Sequence, residues 1–226
     1  MCSSMSTLLV AGCSKSLVDN YAVDWIIQSL GGLTSVSVIN SLNVEPHVQP
    51  EVFPHISASA ITCAVQVYAG REDLMVLQVR SSVVNRKKFA DEIIDYANSK
   101  KCARIVVAAS VDGCLMSGPE LEDNDRLRVV NSISSRFKML DLDDVHSGGL
   151  LKALVKRRNH ELPVTGIAVM VSGLGFVEVR QRSEELARAV LEVIGGIGEE
   201  KPLDVPLSIK QLETDPPVSI EVGRIL

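Results

Sequence analysis

Two short stretches, Ala103–Ala109 and Gly166–Ser172, are almost continuously apolar and rich in β-branched residues. A strand with one face in water alternates apolar and polar residues. These do not, so both are expected to be central strands covered on both faces. Covering both faces requires helices, and helix-period stretches lie between the apolar runs. Thr7–Ala11 is a compact apolar run ending at Gly12, expected as the first buried strand. Val18, Ala22, Ile26 and Leu30 recur at i, i+4, with Val23 and Ile27 beside them, which predicts a helix stopped by Gly31-Gly32. Val36–Ile39 is expected as a second strand. Ile61–Ala69 and Leu74–Arg80, joined by Gly70-Arg71-Glu72-Asp73, are expected as a hairpin. Asn85 is placed to cap a helix reaching about Asn98, with Phe89, Ile93 and Ala97 on one face. Arg136–Leu140 is a short strand candidate. Gly148-Gly149 opens a helix to about Arg158, and a last helix runs from about Arg182 to Ile194.

The order is β-α-β, a hairpin, α-β, then β-α-β-α. Helices alternating with buried strands predict a three-layer α/β/α sandwich, and the hairpin makes its sheet mixed. At 226 residues the chain is expected to hold a single α/β domain over 1–201, followed by a proline-punctuated, extended C-terminal tail over 202–226. Asn40–Ala60, with Pro46, Pro50 and Pro54 at four-residue spacing, is expected to be a long loop or surface excursion.

Charge and composition remove several function classes. The 23 basic and 28 acidic residues give a net charge of −5, and only eight residues are aromatic (Trp 1, Tyr 3, Phe 4), so neither phosphate neutralisation nor base stacking is supported. No apolar run approaches the ~20 residues that cross a bilayer. Met1–Ser6 shows no basic segment followed by a long apolar run, so no secretory signal is expected. The five cysteines, Cys2, Cys13, Cys63, Cys102 and Cys114, are odd in number and widely spaced, as expected of reduced thiols in a cytosolic or nuclear compartment.

Candidate chemistry is sparse. Gly173-Leu174-Gly175 follows a strand and precedes a helix, but Glu178 stands where a dinucleotide fingerprint needs its third glycine. Gly148-Gly149 could hold an anion at a helix start, although Asp141, Asp143 and Asp144 lie just upstream. Cys13 and Cys114 follow strands, where α/β sheets gather ligands, and His146 could serve as a base for either. Asp143-Asp144-x-His146-Ser147 contains the residue types of a hydrolase triad, but they are too close in sequence for triad geometry. His47 and His55, near Glu45 and Glu51, lack metal-ligand spacing. Lys152, Lys156, Arg157 and Arg158 suit a helix C-terminus and offer a basic stripe to a partner.

Several segments together resemble the proteasome assembly chaperone 2 family. They are Thr7-Leu8-Leu9-Val10, the helix with Asp24-Trp25-Ile26-Ile27 and Leu30-Gly31, Leu77-Gln78-Val79-Arg80-Ser81, and Cys102-Ala103-Arg104-Ile105-Val106-Val107. Asn124-Asp125-x-Leu127-Arg128, Gly148-Gly149-x-x-Lys152-x-Leu154 and Ala168-Val169-Met170-Val171 continue the likeness, which covers about residues 7–196. The resemblance implies a fold like that of nucleoside phosphorylases without their catalysis, and no cofactor. It implies a heterodimer with proteasome assembly chaperone 1 that promotes α-ring assembly of the 20S proteasome, in cytoplasm and nucleus. The alternative on the same scaffold is a phosphorylase- or hydrolase-like enzyme. A mean hydropathy of +0.20 with few aromatics fits an interface through a sheet edge or helix face. Some members of this chaperone class end in hydrophobic-Tyr-X. This chain ends Arg224-Ile225-Leu226, so Ile225 would take the place of the tyrosine if the tail docks on proteasome α subunits.

Overall fold

The computed structural model describes residues 6–14, 16–50, 53, 61–71, 73–112, 126–131, 137–143, 145, 149–157, 162–171, 176–195 and 202–214. An eight-stranded mixed sheet runs through the middle of the molecule. Its strands are β1 (Thr7–Ala11), β2 (Thr34–Val38), β5 (Val65–Arg71), β6 (Leu74–Val79), β7 (Arg104–Asp112), β8 (Leu127–Val130), β9 (Lys138–Met139) and β10 (Val164–Val171). Their spatial order is β2-β5-β6-β1-β7-β10-β8-β9. The four central strands β6, β1, β7 and β10 are parallel, whereas β5 and β8 run antiparallel to their central neighbours. A separate two-stranded ribbon joins β3 (Val48–Pro50) to β4 (Ile61–Cys63).

The helices are α1 (Val18–Leu30), α2 (Arg86–Ser99), α3 (Gly149–Arg157), α4 (Phe176–Ile194) and α5 (Leu207–Thr214). Side chains alternate across each strand and divide the core in two. Leu8, Val10, Ile105 and Val107 meet Phe89 and Ile93 of α2 and Leu150, Leu151 and Leu154 of α3. Leu9, Ala11, Val106 and Ala108 meet Val23, Ile26 and Ile27 of α1, Leu186 and Val190 of α4, and Ile209 of α5. The three-layer α/β/α sandwich with a mixed sheet is therefore present, and the non-alternating runs are its doubly covered central strands.

Four local readings change. Residues 61–69 are not one strand: β4 ends at Cys63 and pairs with β3 outside the main sheet, and β5 starts at Val65. The proline-spaced segment supplies β3 and buries Phe53 completely, so it is partly structured rather than an unbroken loop. Helix α4 begins at Phe176 instead of Arg182. The segment from Pro202 is not uniformly extended, because Leu207–Thr214 forms α5, docked on α1. Asn85 caps α2 as expected, accepting a hydrogen bond from the Lys88 N–H at 3.2 Å. Gly70 (φ 153°) passes so close to the Gly31-Gly32 turn that a Cβ would lie 1.9 Å from the Gly32 carbonyl oxygen, a position only glycine fits.

Candidate functional site

Three places combine polar chemistry or exposed apolar surface. The first lies at the carboxyl ends of β1 and β7. The chain leaves β1 through α1 for the β2 side of the sheet, whereas β7 is followed by β8 on the opposite side, so the strand order reverses between them, the switch point at which open α/β sheets form a crevice. Ser14, Ser16 and Ser110 gather there. The Ser110 hydroxyl pairs with that of Ser14 and, at 2.6 Å, with that of Ser16. Asp19, fully buried in the first turn of α1, accepts from the Ser14 N–H and hydroxyl, both at 2.8 Å. Burial raises the Asp19 carboxyl above its ordinary value, against the pull of those hydrogen bonds. Gly12 has no room for a side chain: a Cβ would stand 2.8 Å from the Ala108 carbonyl oxygen and 2.9 Å from Asp19. Cys13 sits beside this cluster with its Sγ donating to the Ala11 carbonyl. Burial, with Asp19 adding to it, pushes the thiol well above its ordinary value, which keeps it protonated and a poor nucleophile.

The second place is a buried polar knot beneath α5. Arg80 grips Asp24 bidentately, at 2.7 and 3.2 Å. The Asp24 carboxylate also accepts from Gln78 Nε2 at 2.6 Å and from the Ser208 hydroxyl of α5 at 2.7 Å. Burial lowers the Arg80 guanidinium, but the Asp24 carboxylate outweighs it and the net displacement is upward, so the arginine stays charged. Phe53 packs under that guanidinium at 5.5 Å and edge-on to Tyr68 at 5.7 Å. This knot holds Phe53 and the C-terminal helix against the sheet.

The third place is the β2 edge. Thr34, Val36 and Val38 are exposed along it, Leu42 follows fully exposed, and Val48, Pro50 and Ile61 are exposed on the β3–β4 ribbon. Ser35 and Ser37 are half-buried, and the register with β5 shifts between them at a bulge.

Several sequence candidates do not join a site. Lys152 is spent on the Leu142 and Val145 carbonyls, Lys156 lies 3.9 Å from Asp143, and Arg157 pairs with Asp91, so these three side chains tie α3 to the segment that precedes it and to α2. His47 bonds Gln49, two residues on, at 3.0 Å. Cys114, Asp144, His146, Ser147, Gly148, Arg158, Gly173–Gly175, His55, Glu51 and the Arg224-Ile225-Leu226 terminus lie outside the described residues. Among the described residues no group of three metal-ligating side chains occurs, no helix is long and apolar enough to cross a membrane, and Cys13, Cys63 and Cys102 are free thiols. The serine–aspartate cluster and the β2 edge were missed in sequence. Ser14-x-Ser16 after β1 and Ser110 within β7 are the signal that polar groups gather at the strand ends.

Solved structures of the same fold exist. PbaA of Pyrococcus furiosus, described as an archaeal homologue of proteasome-assembly chaperone, superposes with a TM-score of 0.64 at 12% identity, over 93% of this chain and 84% of that one. PbaB of the same organism, an archaeal proteasome activator, gives 0.57 at 13% identity, over 93% and 90%. The Mycobacterium tuberculosis proteasome-assembly chaperone homologue Rv2125 gives 0.51 at 13% identity, over 96% and 97%. Among curated proteins none matches the chain. The PAC2 family model matches residues 14–215, from just after β1 through α5, and the chain belongs to the PAC2 family.

Proposed function

We infer that this chain is a non-enzymatic proteasome assembly chaperone. It pairs with proteasome assembly chaperone 1 and, as that heterodimer, promotes α-ring assembly of the 20S proteasome in cytoplasm and nucleus. The observation that carries this reading is the family match across residues 14–215. The descriptions of PbaA and Rv2125 as proteasome-assembly chaperone homologues support it, as does the apolar β2 edge. The strand-end cluster supports the non-catalytic part. The serine hydroxyls bond one another and Asp19, and the neighbouring thiol is held protonated. The reading extends to the C-terminus: the carboxylate and the aliphatic pair Ile225 and Leu226 dock between α subunits, and Arg224 belongs to the same contact.

Co-expression with the partner and the α subunits, followed by native mass spectrometry, tests it. A one-to-one heterodimer that captures free α subunits is expected. A monomer that ignores both, while the partner and α subunits still associate, would sink the reading. Deleting Arg224–Leu226, with the partner's own tail also removed, is expected to reduce capture. Ile225→Tyr is expected to strengthen it, and undiminished capture after the deletion removes the tail from the reading.

A further inference from the structure

The two ends of the main sheet differ. One ends in β9, two residues long and carrying Lys138. A short, charged edge strand discourages further pairing. The other ends in β2, five residues long, within a run from Gly31 to Val44 that holds no charged residue. The Ile39 N–H points inward, donating to the Val65 carbonyl at 3.1 Å. Inward and outward groups alternate along an antiparallel ladder, so the N–H and C=O of Val38 point away from β5. Among the described residues nothing pairs with that outer side.

We propose that β2 is the seam of the heterodimer: the outward backbone groups around Val38 pair with an edge strand of the partner subunit and continue the sheet across the interface. The inference rests on the proposed heterodimer and names its surface. An unpaired ladder selects an extended backbone. The uncharged run selects an apolar one. The exposed apolar surface also continues past the strand, through Leu42 to Val84, where the Val84 N–H bonds the Asn43 carbonyl at 2.8 Å. Val48 and Ile61 are exposed on one face of the separate β3–β4 ribbon. A lone added strand leaves Leu42 and Val84 in water, whereas a folded subunit covers strand and flank together.

Val38→Pro removes only an outward donor, and proline is tolerated on an edge strand in that orientation. Val38→Lys keeps the donor and adds a charge to the seam, and it serves if the proline variant does not fold. The probe is purified proteasome assembly chaperone 1 from the same cell. Expected is at least tenfold slower amide exchange over residues 33–44 in the complex. Partner affinity should fall at least tenfold in either variant, with the melting curve of the isolated chain unchanged. If wild type forms the heterodimer but exchange over 33–44 and the affinity of both variants stay at wild-type values, the seam is elsewhere and the proposed function stands. If wild type forms no heterodimer, both readings fail. If isolated wild type is a stable dimer that Val38→Pro converts to monomer, the occupant is a second copy and the assignment of the partner is overturned.

Discussion

Asp19 shows how one side chain holds the end of β1 to the start of α1. Its carboxylate accepts hydrogen bonds from the Ser14 N–H and hydroxyl and from the Asn20 N–H, all from within five residues of chain. Full burial raises the carboxyl above 3.8. A carboxyl raised in the folded state holds its proton more tightly there than in the unfolded chain. The stability it lends is therefore complete below the unfolded value and is lost as pH rises through the folded one. Asp19→Asn cannot titrate. The unfolding free energy of wild type minus that of Asp19→Asn is expected to fall as pH climbs from 3.8 through the raised value. Urea unfolding at a series of pH values reads this directly, and a difference that stays flat or climbs would contradict the burial assigned to Asp19.

Helix α5 is the element whose removal is most informative. Ile209 is fully buried and Leu203 nearly so in the core that includes α1, the Ser208 hydroxyl reaches Asp24, and the Asp204 N–H bonds the Ser29 hydroxyl at 2.9 Å. Burying an aliphatic side chain is worth about 1.5–3 kcal/mol and a hydrogen bond to a charged group about 1.5–3 kcal/mol. Ser208→Ala is expected to cost about 1–3 kcal/mol. Truncation after Lys201 is expected to cost more than Ser208→Ala, with a larger loss of denaturation midpoint in urea. Equal midpoints for wild type and the truncated chain would show that α5 is not part of the folded unit. The helix was legible, but the prolines were read the wrong way. Pro206 immediately precedes Leu207, where its carbonyl receives the Ile209 and Lys210 N–H groups, and Pro216-Pro217 lie beyond Thr214. Prolines there bound a helix rather than break it. Strand β8 escaped because Arg128, buried at its centre, reads as surface. The central strands and α1, α2 and α3 were readable because their periodicity is set by burial on known faces. The β2 edge was not, because an edge is defined by a missing neighbour, and one strand's residues do not state which strand ends the sheet.

At the scale of the molecule, the hydrogen-bonded polar cluster at the strand ends and the exposed apolar edge at β2 are apart. The crevice at the strand ends, where open α/β sheets bind ligands, has its hydroxyls and its carboxylate engaged with one another, in the interior near α1 and α3. Exposed apolar residues are found at Leu17, Met139, Val177 and Leu207, and Val36, Val38 and Leu42 line the β2 edge, across β5 and β6 from β1. An enzyme on this scaffold is expected to work at the strand ends, whereas the proposed heterodimer seam lies on the rim. The two demand opposite responses from two sets of variants. The combined change Ser14→Ala, Ser16→Ala and Ser110→Ala removes the hydroxyl network while leaving the Ser14 N–H on Asp19, and is expected to cost about 1–3 kcal/mol in unfolding free energy. Partner and α-subunit binding of the folded variant are expected to match wild type, as are those of Cys13→Ala, since neither set touches the rim. Val38→Lys is expected to do the reverse, with stability kept and partner affinity lost. Measuring urea midpoints and heterodimer dissociation constants on the same four proteins closes the comparison. Loss of partner binding in the folded serine variant, with Val38→Lys unaffected, would move the working surface from the rim into the crevice and reopen the enzyme.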